Sequence, residues 1–346
     1  MKTIFVVDDN ATNLATAKHA LVEGGYRVLT LPSAERMFSL FVKIRPDLIL
    51  LDIKMPDMDG FAAIKKLKAN EGTAGIPVMF LTASTDVETE VKGLKLGAVD
   101  FVVKPFSPPV LLNRIANHLL IDEIIKKRTE QIEQRKKQII ELQNGIVFTL
   151  ANIVENRDKI TGGHIDRTSK FIRILMEAMM AKGLYLEEMI EWDLDMVVAS
   201  ALLHDVGKIA VSDLILNKPD KLTADEFGKM RCHTTEGETI IDQMIDQTGN
   251  AQFLQHAKLF AGSHHERWNG EGYPRGLKGE EIPLQGRIMI IADVYDALTS
   301  ERPYKPAFSR EETEAIILKD SGTYFDPNII KIFNEVKDKF AEVAEV

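Results

Sequence analysis

Residues 48–52 read LILLD, four aliphatic side chains closed by a carboxylate. A short unbroken apolar run of this kind marks a strand buried on both faces, as parallel sheets are when helices cover them from either side. The pattern repeats outward from this point. IFVV at 4–7 ends in Asp8 and Asp9, VMFL at 78–81 ends in Thr82, and VDFVV at 99–103 ends in Lys104-Pro105. Helical stretches lie between these runs, with Leu14, Ala17, Leu21 and Val22 at helical spacing and a further helix over 86–96. Strands alternating with helices of this length predict a doubly wound parallel α/β sheet. In such a sheet the chemistry gathers beyond the carboxyl ends of the strands. Those ends bring Asp8, Asp9, Asp52, Thr82 and Lys104 to one edge. Three carboxylates repel one another, and a hard divalent cation such as Mg²⁺ relieves the repulsion through oxygen ligands. One carboxylate is then available as a nucleophile toward a phosphoryl group, with the lysine pairing the transferred oxygens.

This pattern, from Lys2 to about Leu120, resembles the response-regulator receiver domain. The resemblance implies that Asp8 and Asp9 are the acidic pair that holds Mg²⁺ together with Asp52, and that Asp52 is the phosphoacceptor. DIKMPDMDG at 52–60 is similar to the loop that follows it. By the same resemblance Thr82 is the switch hydroxyl, Phe101 the switch aromatic, Lys104 the phosphate contact, and Lys104-Pro105 a cis peptide. A cognate histidine kinase is the implied phosphodonor, and the output is implied to lie downstream.

Residues 119–146 hold no Pro, and no Gly before Gly145, and are rich in Lys, Arg, Glu and Gln. Ile125, Ile132, Ile139 and Ile146 recur every seven residues, with Leu142 between, whereas Arg128 and Arg135 occupy the earlier intervening positions. Two readings are open. One is a parallel dimer stalk, a thin coiled-coil seam that continues the last helix of the sheet domain and transmits its rearrangements. The other is a single solvated linker helix. The boundaries expected are 1–120 for the sheet domain, 121–144 for the linker and 145–346 for the rest.

Beyond Gly145 the apolar spacing is helical over 146–156, 165–181, 186–203, 224–230, 235–247 and 252–261, with no alternating strand, so this part reads as all-α. It carries His164, His233, His264-His265 and the pair His204-Asp205, which apolar flanks place on a partly buried helix. Asp293 follows IMIIA, with Asp296 one helical turn later. Imidazoles mixed with carboxylates suit divalent transition metals better than Ca²⁺. A carboxylate adjacent to a histidine can bridge two ions, and two ions about 3.5–4 Å apart can activate water for in-line attack on a phosphoester.

From roughly Asn144 to Phe333 this half resembles the HD-GYP family of metal-dependent phosphodiesterases. The resemblance is carried by ALLHDVGKI at 201–209, HHERWNGEGYPRGLKGEEIP at 264–283, IADVYDALTSERPYK at 291–305 and GTYFDP at 322–327. It implies hydrolysis of cyclic di-GMP to pGpG or GMP. It also implies His164, His204, His233, His264, His265 and Asp293 as metal ligands, Asp205 as the bridging ligand, and Lys208 as the contact to the scissile phosphate. Tyr273, Arg302 and Lys305 resemble residues that hold substrate, although Gly-Tyr-Pro also reads as a turn and leaves a structural role for Tyr273 open. Some three-metal relatives resemble a Glu-Thr-Gly-x-His pattern; the corresponding position here is Ile160, which cannot ligate, so two ions are expected rather than three. Iron and manganese lead by resemblance.

The remaining composition narrows the choice. The chain has 346 residues, is 45% hydrophobic and 27% charged, and contains a single cysteine, Cys232. An internal disulfide framework and a Cys-rich zinc module are excluded. The amino terminus lacks the features of a secretory leader, no apolar stretch is long enough for a membrane span, and a cytoplasmic protein is expected. A formal charge of −9 argues against a stable nucleic-acid partner. An HD hydrolase of another cyclic or signalling nucleotide and a non-catalytic signalling module are the competing readings.

Overall fold

The computed structural model describes residues 1–83, 87–157, 163–249, 252–301 and 306–345. The chain divides into two compact units, Met1–Lys136 and Lys137–Val346.

The amino-terminal unit runs β1 (Thr3–Val7), α1 (Ala11–Glu23), β2 (Arg27–Leu31), α2 (Ala34–Leu40), β3 (Leu48–Asp52), α3 (Gly60–Lys68), a single turn α4 (Glu71–Ala74), β4 (Val78–Thr82), α5 (Val87–Lys95), β5 (Asp100–Val103) and the start of α6 (Pro108–Glu155). The strands form one parallel sheet in the order β2-β1-β3-β4-β5. Successive residues point to opposite faces, and both faces are covered, which is why the runs are continuously apolar. Phe5, Val7, Ile49, Leu51, Val78 and Phe80 pack on one side, and Ile4, Val6, Leu48, Leu50, Met79 and Leu81 on the other. Leu111, Ile115 and Leu119, one turn apart along α6, seal the second face. The register sets Ile4 beside Leu48 and Ile49 beside Val78, so the strand ends carrying Asp8, Asp52 and Thr82 share the carboxyl edge. The edge strand β2 was not anticipated from the sequence. Its RVLTL is only partly buried, and Arg27 and Thr30 interrupt the apolar run.

The carboxyl-terminal unit is helical, as expected. Beyond the end of α6 it contains α7 (His164–Lys182), α8 (Leu186–Met189), α9 (Leu194–Ala201), a 3₁₀ turn (Val206–Ala210), α10 (Asp213–Leu216), α11 (Ala224–Arg231), α12 (His233–Thr248), α13 (Gln252–Ser263), α14 (Leu284–Thr299), α15 (Arg310–Lys319) and α16 (Pro327–Ala344). Phe171, Ile172, Leu175, Met176 and Met179 form the buried stripe of α7 and pack against α14 and α16. Phe171 stacks on Phe340 at 4.5 Å and meets Tyr295 edge-on at 5.1 Å. Each large side chain so buried contributes about 1.5–3 kcal/mol of transfer free energy. Gly183, left-handed at φ 70°, ends α7.

Two sequence expectations are corrected here. The run 186–203 is not one helix: α8 stops at Met189, and Asp193 starts α9 by accepting from the Met196 N–H. His204-Asp205 is not on a helix either, because α9 ends at Ala201 and the pair lies in the turn before the 3₁₀ segment. That segment is pressed against the start of α12. A Cβ on Gly207 would sit 1.9 Å from the His233 carbonyl oxygen and 2.4 Å from the Gly237 nitrogen, so only glycine fits.

Candidate metal centre

At the carboxyl edge of the sheet, Asp8 and Asp52 are buried and Asp9 is exposed. Lys104 Nζ donates to Asp8 Oδ2 and Asp52 Oδ1, both at 2.6 Å. The second oxygen of Asp8 accepts from the backbone N–H of Asn10 at 2.8 Å, which fixes the acid at the loop after β1. Asp8, Asp9 and Asp52 each offer an oxygen within 4.8 Å of the others. Burial raises the pKa of Asp52; Lys104 opposes this, while Asp8 and Asp9 add to it. A cation among the three carboxylates would favour the ionised form that a nucleophile requires. Thr82 is buried at the end of β4, and Phe101 packs its ring 5.4 Å from Phe80. The Lys104–Pro105 peptide is cis, as the resemblance implied.

The carboxyl-terminal unit holds a cavity of about 370 Å³ lined by His164, His204, Asp205, Lys208, His233, His265, Tyr273 and Asp293, among others. His264, fully buried, stands behind His233 with the two Nε2 atoms 3.2 Å apart. The residues come from six places in the fold: the start of α7, the turn after α9, the 3₁₀ segment that follows it, the start of α12, the stretch after α13 that carries His264, His265 and Tyr273, and the middle of α14. Their rings are oriented by hydrogen bonds on the far side. The Nδ1 of His204 meets the Ala201 carbonyl at 2.9 Å, that of His233 the Met230 carbonyl at 2.7 Å, and that of His264 the Phe260 and Ala261 carbonyls at 3.0 Å. A carbonyl can only accept, so each Nδ1 carries the proton and each Nε2 presents a lone pair.

Those lone pairs converge on one carboxylate. Asp205 Oδ2 lies 3.4 Å from His204 Nε2, and Asp205 Oδ1 lies 3.5 Å from His233 Nε2 and 3.6 Å from His264 Nε2. Two groups of ligand atoms result, each within 4.8 Å: His164, His204 and Asp205, and His233, His264 and His265. Asp205 faces both. The set fits divalent cations on two grounds. His204 Nε2 and Asp205 Oδ1 are buried without a hydrogen-bond partner, a state that costs about 1–3 kcal/mol per atom unless something satisfies it. The facing lone pairs of His233 and His264 also repel unless a positive charge lies near both.

The electrostatics agree with that fit. Burial depresses the pKa of His233 to about 4, and burial together with His264 and His233 holds His265 well below the usual imidazole value, so both rings are neutral ligands at neutral pH. Burial opposes ionisation of Asp205, but the charges around it, Lys208 foremost, outweigh it and hold the carboxyl well below its ordinary range. Lys208 Nζ is 2.7 Å from Asp205 Oδ2. The turn bearing Lys208 is clasped by Arg157, whose guanidinium donates to the carbonyls of Lys208, Ile209 and Val211 and to Asp213. Tyr273 tilts over His265 with ring centroids 4.7 Å apart, and the Arg231 guanidinium carbon lies 4.6 Å from the centroid of the Tyr273 ring.

Asp296, one helical turn after Asp293, is taken up by other side chains. It is buried and accepts from His164 Nδ1 at 2.7 Å and from Arg167 Nε at 2.5 Å. It thus orients His164, whose Nε2 turns to Asp293 Oδ1 at 3.8 Å. Burial would depress the pKa of His164, but the bond to Asp296 raises it. Arg167 and Arg157 carried no sequence signal of their own, since their partners lie far along the chain. Arg302 and Lys305 fall outside the described residues.

Comparison with known proteins adds an independent line. A sequence model of the response regulator receiver domain matches residues 4–116, and one of the HD domain matches residues 121–329. A probable cyclic di-GMP phosphodiesterase of Vibrio cholerae is 38% identical over 351 residues, spanning 99% of this chain and 79% of the relative. The cyclic di-GMP phosphodiesterase response regulator RpfG of Xanthomonas campestris is 36% identical over 293 residues, spanning 83% and 74%. A 3′3′-cGAMP-specific phosphodiesterase of Vibrio cholerae is 36% identical over 203 residues, spanning 59% of this chain and 36% of that protein.

Proposed function

Because the chain belongs to the HD-domain family, in its HD-GYP branch, with a response-regulator receiver domain ahead of the HD domain, we propose that it is a cyclic di-GMP phosphodiesterase governed by phosphorylation of Asp52. The product is pGpG and/or GMP. The observation that carries the reading is the convergence of His204, His233 and His264 Nε2 atoms on Asp205, within 3.4–3.6 Å, at the wall of a cavity.

In this reading His164, His204, His233, His264, His265 and Asp293 would hold two divalent ions, iron or manganese, with Asp205 as the bridging ligand. When bound, the ions supply a Lewis-acid clamp that activates water and offsets charge growing on the phosphate. Lys208 adds a point charge beside the bridging carboxylate, aimed where phosphate oxygens become more negative in the transition state. The carbonyl bonds to three Nδ1 atoms, and the Asp296 bond to the fourth, place the proton of each neutral ring on Nδ1 and turn Nε2 toward the centre. Tyr273 borders the cavity as a substrate contact, with Arg302 and Lys305 proposed for phosphates and bases.

In the receiver, Asp8, Asp9 and Asp52 hold Mg²⁺ while a histidine kinase donates to Asp52, and Thr82, Phe101 and Lys104 read the added group. The domains run 1–120, 121–144 and 145–346. Ile125, Ile132, Ile139 and Leu142 are 58–65% exposed on α6 within one chain, which supports a homodimer through the linker. No helix among the described residues is long and apolar enough to cross a membrane; a cytoplasmic site of action, without a stable nucleic-acid partner, is part of the proposal.

Purified protein loaded with Mn²⁺ or Fe²⁺ is expected to convert cyclic di-GMP to pGpG or GMP, followed by chromatography with and without a small phosphodonor. Metal-loaded protein that leaves cyclic di-GMP intact under both conditions would defeat the substrate assignment. The cGAMP-specific relative makes 3′3′-cGAMP the substrate to run beside it, and faster turnover of that dinucleotide would move the reading to the other signal.

A further inference from the structure

Among the described residues, four buried side-chain atoms lack a hydrogen-bond partner: Glu155 Oε1, His204 Nε2, Asp205 Oδ1 and Thr313 Oγ1. Glu155, His204 and Asp205 line the same cavity, whereas Thr313 belongs to α15. Two of these three atoms are on residues already assigned to the metal centre. The third sits on the last residue of α6 and has no assigned role.

The backbone N–H of Ile165, in the first turn of α7, faces the Glu155 carboxylate and favours its charged form against the burial that opposes it. Gly163, the N-cap of α7, supplies no side-chain cap, so this carboxylate from α6 lies beside the turn that carries His164. Its Oε1 is buried with nothing to accept from. A carboxylate in this position is incomplete in the same way as Asp205.

We propose that Glu155 belongs to the metal centre as an outer carboxylate, strengthening its hold on the cation at the His164, His204 and Asp205 group. Glu155 is not a member of that group, whose ligand atoms lie within 4.8 Å of one another. It therefore acts on the ion through a water molecule accepted by Oε1, and it adds negative charge without entering the ligand ring. A carboxylate from the end of α6 thereby becomes part of the hydrolytic centre. The proposal rests on the two-ion reading above.

The test is cation binding by the full chain, wild type and Glu155→Gln. Glutamine keeps the shape of the side chain and an oxygen to face the Ile165 N–H while removing the charge. Equilibrium dialysis against graded free Mn²⁺, with metal per chain counted by plasma mass spectrometry, is expected to show one of two ions bound roughly tenfold more weakly in the variant. The Glu155→Asp variant, which restores charge on a shorter arm, should recover part of that loss. Superimposable isotherms for wild type and Glu155→Gln would overturn the proposal. Cyclic di-GMP turnover on the same samples separates the two claims. Normal wild-type turnover with identical isotherms removes Glu155 alone; a weakened variant isotherm with no wild-type turnover leaves Glu155 in place and removes the substrate.

Discussion

The two acidic centres of this chain solve the problem of gathered charge differently. At the sheet edge the ligands are all carboxylate oxygens, one of the three aspartates is exposed, and Lys104 already neutralises two of them at 2.6 Å. In the helical unit one carboxylate stands among imidazoles whose outer nitrogens are tied to carbonyls. Oxygen-only sites with an internal counter-charge suit a hard ion that comes and goes. Neutral nitrogen donors locked in orientation suit a resident transition metal. The chemistry each centre can support follows from that contrast: a carboxylate left free to be modified in the first, a bridging carboxylate in the second.

The sharpest way to break the comparison is to damage one centre and read both. Asp205→Ala is expected to weaken cation retention by more than about 100-fold and to abolish phosphodiesterase turnover, while labelling of Asp52 by a small phosphodonor, read by intact mass, is unchanged. Asp52→Asn should do the reverse, losing the added phosphoryl group and keeping full metal content. If Asp205→Ala stops the labelling of Asp52, or Asp52→Asn lowers the metal content, the two centres are not separate devices.

A smaller effect is expected at Asp296. Replacing it with Asn leaves a hydrogen-bond acceptor for His164 but removes the charge that Arg167 and His164 share. Cation affinity should fall by about tenfold, with His204→Ala as the more severe control. An unchanged affinity would mean that the His164 ring is oriented by packing alone.

Much of this contrast was legible in the residues themselves. LILLD and its counterparts located the strand ends, because burial on both faces leaves no polar residue until the strand stops. The pair His204-Asp205 was visible as chemistry but misplaced on a helix. The apolar flanks report burial, and a buried turn gives the same signal as a buried helix. Asp296 was visible only as a carboxylate one turn after Asp293; that Arg167 and His164 claim it depends on contacts spanning about 130 positions, which no local pattern encodes. The clasp of Arg157 on the Lys208 turn was hidden for the same reason.

The smallest expected effect concerns a histidine outside the centre. His256 is buried, accepts from Gln285 Nε2 at 2.9 Å and meets Trp192 edge-on. Burial lowers its pKa below the ordinary value. The folded state therefore binds this proton less readily than the unfolded state. Its contribution is complete above about pH 6.5, the unfolded value, and is lost as pH falls from there toward the folded value. Melting of metal-saturated wild type should drop by a few degrees more across that window than melting of His256→Asn. Parallel curves would assign the acid sensitivity elsewhere.

The contact at Gly207 reaches beyond the fit of one turn. With no side chain there, two stretches of main chain meet without intervening atoms, and one carries His204 and Asp205 while the other begins with His233. Side chains can repack to absorb a change; abutting peptide groups cannot. The distance across the centre is thus a gauge cut into the backbone. Metal–ligand distances are held to about 0.2 Å of their preferred values, so the fit of any cation to these candidate ligands would depend on a residue that offers no ligand atom of its own.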